Sequence, residues 1–202
     1  MEPRIDDVLA VWFGGDDEPV AQRQARWFTR DPAFDDELRR RFADLVAAAG
    51  RGELDGWAAT PRGALALVVV LDQLPRNLHR GAAAAFAHDQ RALATCRAAL
   101  ARGDDRALSW LERYMLRMPL MHAEDREVQR ESVASFEALH AEAVAAGAPA
   151  EVIAALAGAA DYARRHAVIV ERFGRYPHRN AVLERTSTGD ELEFLTEPGS
   201  SF

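Results

Sequence analysis

Residues 60–77, TPRGALALVVVLDQLPRN, decide how this chain is read. Thr60 followed by Pro61 is a helix start: a hydroxyl caps the first free amides and the proline's fixed φ suits the first turn. The next stretch, ALALVVVL (64–71), is apolar all round, as in a helix enclosed by other elements. The β-branched run from Val68 to Val70 would also suit a strand. The cap pair and the helical neighbours favour helix, with Pro75 ending it.

Working outward, the other segments read the same way. Ile5, Val8, Leu9 and Trp12 recur at helical spacing as far as Gly14-Gly15, and a short helix over 20–28 follows. Asp31-Pro32 is a second cap pair, ahead of the stripe Phe34, Leu38, Phe42 and Leu45. Asp35, Asp36 and Glu37 occupy its first turn and Arg39, Arg40 and Arg41 come later, as the helix dipole prefers. Gly50 and Gly52 close it. Beyond the central helix, the Ala-rich stretch 82–101 reads as one long helix ending near Gly103. Leu108, Leu111 and Met115 mark another, stopped by Pro119. A helix over about 124–146 closes at Gly147, and Pro149 opens one running to about 173. Thr188 to Glu191 is a capping box for a last short helix, and the tail EPGSSF (197–202) reads as loose. Nothing alternates with period two. The expectation is an all-α fold of antiparallel helix pairs, one domain spanning 1–202.

Composition narrows the function classes. The chain has 202 residues and a net charge of −7, which argues against a general nucleic-acid-binding surface. A single cysteine leaves no disulfide framework and no Cys-rich zinc module. No apolar run reaches the roughly 18 residues of a membrane span, and MEPRIDDVLAVWF lacks a signal-peptide cleavage site. A cytoplasmic protein without membrane or nucleic-acid partners is expected. All 25 basic residues other than histidine are arginines, so only the placement of an arginine is informative.

Three polar segments break the amphipathic pattern. LDQLPRN (71–77) leaves the buried helix directly, so Asp72, Gln73, Arg76 and Asn77 need partners near the interior. The bland reading is Arg76 neutralising the helix end and pairing with Asp72. In MHAEDREVQ (121–129), His122, Glu124 and Asp125 could supply a general acid or base. Acids in a helix first turn are the bland alternative, and the spacing matches no metal motif, so no metal or cofactor is assigned. ERFGRYPHRN (171–180) gathers Arg172, Arg175, His178, Arg179 and Asn180 around Phe173 and Tyr176, with Gly174 free to turn left-handed. Guanidinium forks match carboxylate or phosphate, against a salt-bridged structural turn. The Pro-Arg-Asn and Pro-His-Arg-Asn turns are expected to face one another. His166 reads as a partnered core histidine or a neighbour of the same site, and Cys96 as a packing residue.

The strings VWFG (11–14), RWF (26–28), FDDEL (34–38), Trp57 with TPRGALALVVVLDQLPRNLHRG (60–81), AFAHDQRAL (85–93), PLMHAED (119–125), FGRYPHRN (173–180) and VLERTSTGDELEFL (182–195) together resemble the DUF924 family of bacterial proteins, in order and over nearly the whole chain. The resemblance implies an all-helical, tetratricopeptide-like fold and no activity. Three departures stand out: Leu74 for an aromatic, Ala123 for serine and Glu184 for glycine. Ala123 argues against a required hydroxyl there, and Glu184 against a glycine-specific backbone role. Besides a purely structural polar core, two readings of function remain. One is a pocket built from the three polar segments that binds, and acts on if it is an enzyme, a small anionic ligand. The other is a helical interaction module holding a peptide in a long groove, with structural polar motifs.

Overall fold

Every residue from Gly63 to Pro75 is buried, so the central segment is enclosed as its composition requires. A computed structural model describes residues 3–15 and 17–201. Helices α1 (Pro3–Phe13), α2 (Val20–Phe28) and α3 (Pro32–Gly50) precede a 3-10 turn, Asp55–Ala59. The central helix is α4 (Pro61–Val68), a π-helical turn (Val69–Gln73) and α5 (Leu74–Leu78) in continuous succession. After it come α6 (Asp89–Arg102), α7 (Trp110–Leu116), α8 (Met118–His122), α9 (Arg126–Ala145), α10 (Ala150–Phe173) and α11 (Gly189–Phe194). Among the described residues there is no strand, and the fold is all-α.

Local chemistry sets the boundaries. Asp31 accepts from the amides of Ala33 and Phe34, Thr60 from Gly63 and Asp125 from Val128. Each cap satisfies amides that the helix itself leaves unbonded. The Thr188–Glu191 capping box forms as the pattern requires. Gly174, at φ 71°, ends α10 and turns the chain sharply.

Three boundaries differ from the sequence reading, each through a proline or a local turn. Pro75 does not end the central helix. The π turn lets the Leu74 amide reach back five residues to the Val69 carbonyl, and Pro75 then sits in the opening turn of α5, where its missing N–H costs little. Pro119 likewise opens α8 instead of only stopping α7. The stretch 82–101 is not one helix: Ala83–Phe86 is a 3-10 turn, and α6 starts at Asp89.

The core packs α1, α3, α6 and α7 around the central helix, with Trp12, Phe42, Leu65, Leu71, Met115 and Leu120 among its fully buried side chains. α9 and α10 run antiparallel. Arg126 and Arg130 near the start of α9 meet Glu171 near the end of α10, and Arg164 of α10 meets Glu137. A smaller cluster of Ile169, Val170, Tyr176 and Phe194 anchors the chain after α10. In the last segment Ser200 is buried and its hydroxyl donates to the Leu195 carbonyl; Phe202 lies outside the described residues.

Glu184 overturns one expectation. Its φ is 54°, and among the described residues it is the one non-glycine in the left-handed region. The position has the backbone that glycine serves, and Glu184 occupies it at a steric cost of roughly 1–2 kcal/mol. The turn sends the Arg185 amide back to the Asn180 carbonyl. Part of the relief from glycine is lost to its extra freedom in the unfolded chain. Glu184→Gly is therefore expected to stabilise by about 0.5–1 kcal/mol, raising Tm by roughly 1–4 °C in a thermal unfolding scan. A lower Tm would show that the carboxylate holds the turn.

Candidate functional site

Asp72 lies on the π turn with no exposed surface. π turns inside helices recur at functional sites, and here the turn places a carboxylate among apolar residues. An isolated charge would cost several kcal/mol there. Asp72 is instead bonded on both oxygens. His122 Nδ1 lies 2.8 Å from Oδ1, Arg76 Nη1 lies 3.3 Å from the same atom, and Gln73 Nε2 donates to Oδ2. Burial alone would raise the Asp72 pKa, but the Arg76 charge and the His122 bond hold it well below the usual carboxylate range. Burial, with Arg76 nearby, pushes the His122 pKa down. The ring is then neutral at pH 7. A carboxylate only accepts, so Nδ1 carries the hydrogen and Nε2 keeps a lone pair.

Arg76 donates from Nη1 to the Asp72 carbonyl and grips Asp89 with both Nη atoms, at 2.9 and 3.0 Å. Arg179 reaches the same Asp89 carboxylate from the other side, at 3.4 Å. Its guanidinium packs against two rings, with Cζ 4.6 Å from the Phe86 ring centre and 4.5 Å from that of Tyr176. Arg179 is only 6% exposed, and its Nε has no hydrogen-bond partner. Burial first, and then the Arg76 charge, push its pKa down. A half-buried and a buried guanidinium thus share one carboxylate, and Arg179, the buried one, has the weaker share.

A rigid lattice holds the two polar turns together. The Tyr176 hydroxyl donates to the Met121 carbonyl at 2.6 Å and accepts from Gln129, whose amide also donates to the carbonyls of Met121 and Ala123. The Tyr176 amide donates to Glu124, and Arg185 grips Glu124 through both Nη atoms. His122 is thereby fixed from its own backbone outward.

These groups line one end of a cavity of about 810 Å³. Gln73, Arg76, Asn77, Phe86, His122, His166, His178 and Arg179 belong to its wall. The wall continues over Met118, Met121 and Tyr114 to Trp27, Phe28 and Val20, and along α10 from His166 through Tyr162 to Ala159, Gly158 and Ala155. His166 donates from Nδ1 to the Tyr162 carbonyl and packs edge-on to Tyr176.

Of the residues singled out in sequence, Asp72, Gln73, Arg76, Asn77, His122, His178 and Arg179 come together at or just behind this wall. The Pro-Arg-Asn and Pro-His-Arg-Asn turns meet at Asp89. The bland pairing of Arg76 with Asp72 is present as well. The others lie elsewhere, each already engaged. Arg175 is bidentate to Glu191, Asn180 donates to Glu191 and Ser187, and Arg172 covers the rings of Phe173 and Phe194. Asp125 caps α9, and Glu124 joins the two turns from behind. Asp89 and Phe86 were missed because one helix over 82–101 would have placed both on a continuous surface. Arg80 was missed too: it lines the wall while pairing with Asp35, which also accepts from Asn77. Among the described residues no group of three or more His, Cys, Asp or Glu is placed to hold a metal ion, and no helix is long and apolar enough to cross a membrane.

Burial pushes His166 down to about 3 and His178 down to about 4. Both rings are neutral when folded but take up a proton on unfolding below about 6.5. The unfolded state then binds more protons, so stability falls as pH drops from about 6.5 toward 4. His166 contributes up to about 1.4 kcal/mol per pH unit in that window. Urea unfolding of wild type and His166→Gln between pH 7 and 4.5 should show the variant's slope flatter by close to one proton. Equal slopes would mean that His166 is already protonated in the fold.

The comparisons agree with this architecture. The model of the family described as "Bacterial protein of unknown function (DUF924)" matches residues 8–199. The solved structure of a protein of unknown function, ATU0120 from Agrobacterium tumefaciens, is similar at 35% identity and a TM-score of 0.77, covering 96% of this chain and 97% of that one. No curated protein matches. With the fold, the ordered motifs and the family match in agreement, this chain belongs to the DUF924 family of bacterial proteins.

Proposed function

We propose that the cavity binds a small molecule through a carboxylate or phosphate seated on Arg179 and Arg76. One observation carries this reading: a buried arginine in the cavity wall, packed against two rings, whose ion pair with Asp89 is long and shared with Arg76. The rings hold the guanidinium in place, and its weak hold on Asp89 leaves donors for an oxyanion. A cavity of about 810 Å³ is in the range of small-molecule sites. Beside the seat, the Asp72–His122 pair offers a proton acceptor at Nε2, the group that a reaction on the bound molecule would use.

The test is an anion titration followed by thermal unfolding. Inorganic phosphate or acetate should raise Tm where chloride of equal ionic strength does not. Near one hundred times Kd the gain is about 2.7 kcal/mol, or roughly 5–10 °C for a chain of this length. Arg179→Lys should weaken the response, because an ammonium cannot reproduce the fork, and Arg179→Ala should remove most of it. If Arg179 is purely structural, the titration is flat and the alanine variant is severely destabilised, by about 3–5 kcal/mol.

A further inference from the structure

The wall beside the anion seat carries an acceptor as well as donors. Asp72 has no exposed surface, whereas His122 lies in the cavity wall with 12% of its side chain exposed. The ring donates from Nδ1 to Asp72 Oδ1 at 2.8 Å, and among the described residues that is its side-chain hydrogen bond. The two nitrogens of an imidazole point to different sides of the ring, so Nε2 turns away from the buried Asp72 toward the cavity. Burial first, and then the Arg76 charge, keep the ring neutral at pH 7. A neutral ring with its hydrogen on Nδ1 has only a lone pair at Nε2. Asp89, the other carboxylate here, gives both its oxygens to the arginines.

The lone pair sorts one oxyanion from another. Sulfate at pH 7 offers acceptors alone. Seated on the two arginines, it would turn an oxygen toward Nε2 and leave a largely buried acceptor unmet. Hydrogen phosphate has the same tetrahedral shape and double charge but carries one P–OH. Its bare oxygens can take the guanidinium donors while the hydroxyl donates to the imidazole. We infer that the seat selects a protonated phosphoryl group, whose P–OH donates to His122 Nε2 and whose other oxygens accept from Arg76 and Arg179. The inference rests on the anion seat proposed above and adds which oxyanion fills it. Placement supports it. Asp72 Oδ1 holds His122 at 2.8 Å and Arg76 at 3.3 Å, so acceptor and donor are fixed against one atom, and Asp89 ties Arg179 to Arg76.

Calorimetric titration of the full chain with phosphate and with sulfate, at pH 7 and equal ionic strength, tests this. Phosphate should bind at least about tenfold tighter, the penalty for an unmet acceptor. Methyl phosphate against methyl sulfate separates the sources: preference in both pairs means that the phosphoryl end of a larger molecule fits, and preference in the first alone means free phosphate. His122→Asn puts an amide nitrogen near the position of Nδ1, so the bond to Asp72 is kept while Nε2 is lost. It should bring phosphate and sulfate to within about threefold, by weakening phosphate. Arg179→Lys should weaken both and leave their ratio unchanged. Nitrogen NMR of the wild-type histidine rings needs no variant: saturating phosphate should shift the His122 Nε2 signal and sulfate should not. Sulfate bound as tightly as phosphate would overturn the inference and leave the anion seat standing. Failure of both to bind would overturn both readings. A preference undiminished in His122→Asn, or an Nε2 signal unmoved by phosphate, would also overturn the inference.

Discussion

A carboxylate with no exposed surface, Asp72, sits in the most apolar segment of the chain, and the arrangement around it follows from keeping that charge satisfied. Removing one partner from a buried pair costs several kcal/mol, so partners must be delivered reliably. The π turn delivers two of them locally: Gln73 is the next residue, and Arg76 stands four further on. The third, His122, comes from fifty residues away and must be held by its own scaffold. That scaffold is Tyr176 and Gln129, which fix the carbonyls on either side of His122. Meeting the needs of one buried charge therefore joins the central helix, α8, α9 and the turn after α10.

The same arrangement leaves charge unevenly distributed. Arg76 answers Asp72 and Asp89 together, so little of Asp89 remains for Arg179. Around this cluster His122, His166 and His178 are driven neutral by burial and neighbouring positive charge. As neutral rings they can accept hydrogen bonds without adding repulsion. A polar pocket that were only structural would pair its guanidinium groups more completely, as Arg175 does with Glu191 and the Thr186 carbonyl.

How far the sequence could be read depended on whether a residue's role was local. Cap pairs at Asp31-Pro32 and Thr60-Pro61, the Thr188 box and the glycine after Phe173 act within a few residues, and each marks its helix boundary as read. Pro75 misled because its effect depends on the preceding π turn, which no local pattern announces. The charged residues were separable only by long-range geometry. Arg175 and Arg179 are four residues apart in one motif, yet one is saturated by Glu191 and the other is buried between rings. Asp89 looked like an ordinary helix acid until the break before α6 placed it between two arginines. Glu184 was misjudged because the residue type was taken as a guide to the backbone, and here the backbone is left-handed despite the residue.

If Arg179 and Arg76 form an oxyanion seat, a crystal of the protein soaked in arsenate, a phosphate mimic located by the anomalous signal of arsenic, should show it. The arsenate oxygens are expected within hydrogen-bond distance of the Arg179 and Arg76 guanidinium groups in the cavity. No arsenic peak in the cavity, with Arg179 closed onto Asp89, would mean that the two arginines serve the fold alone.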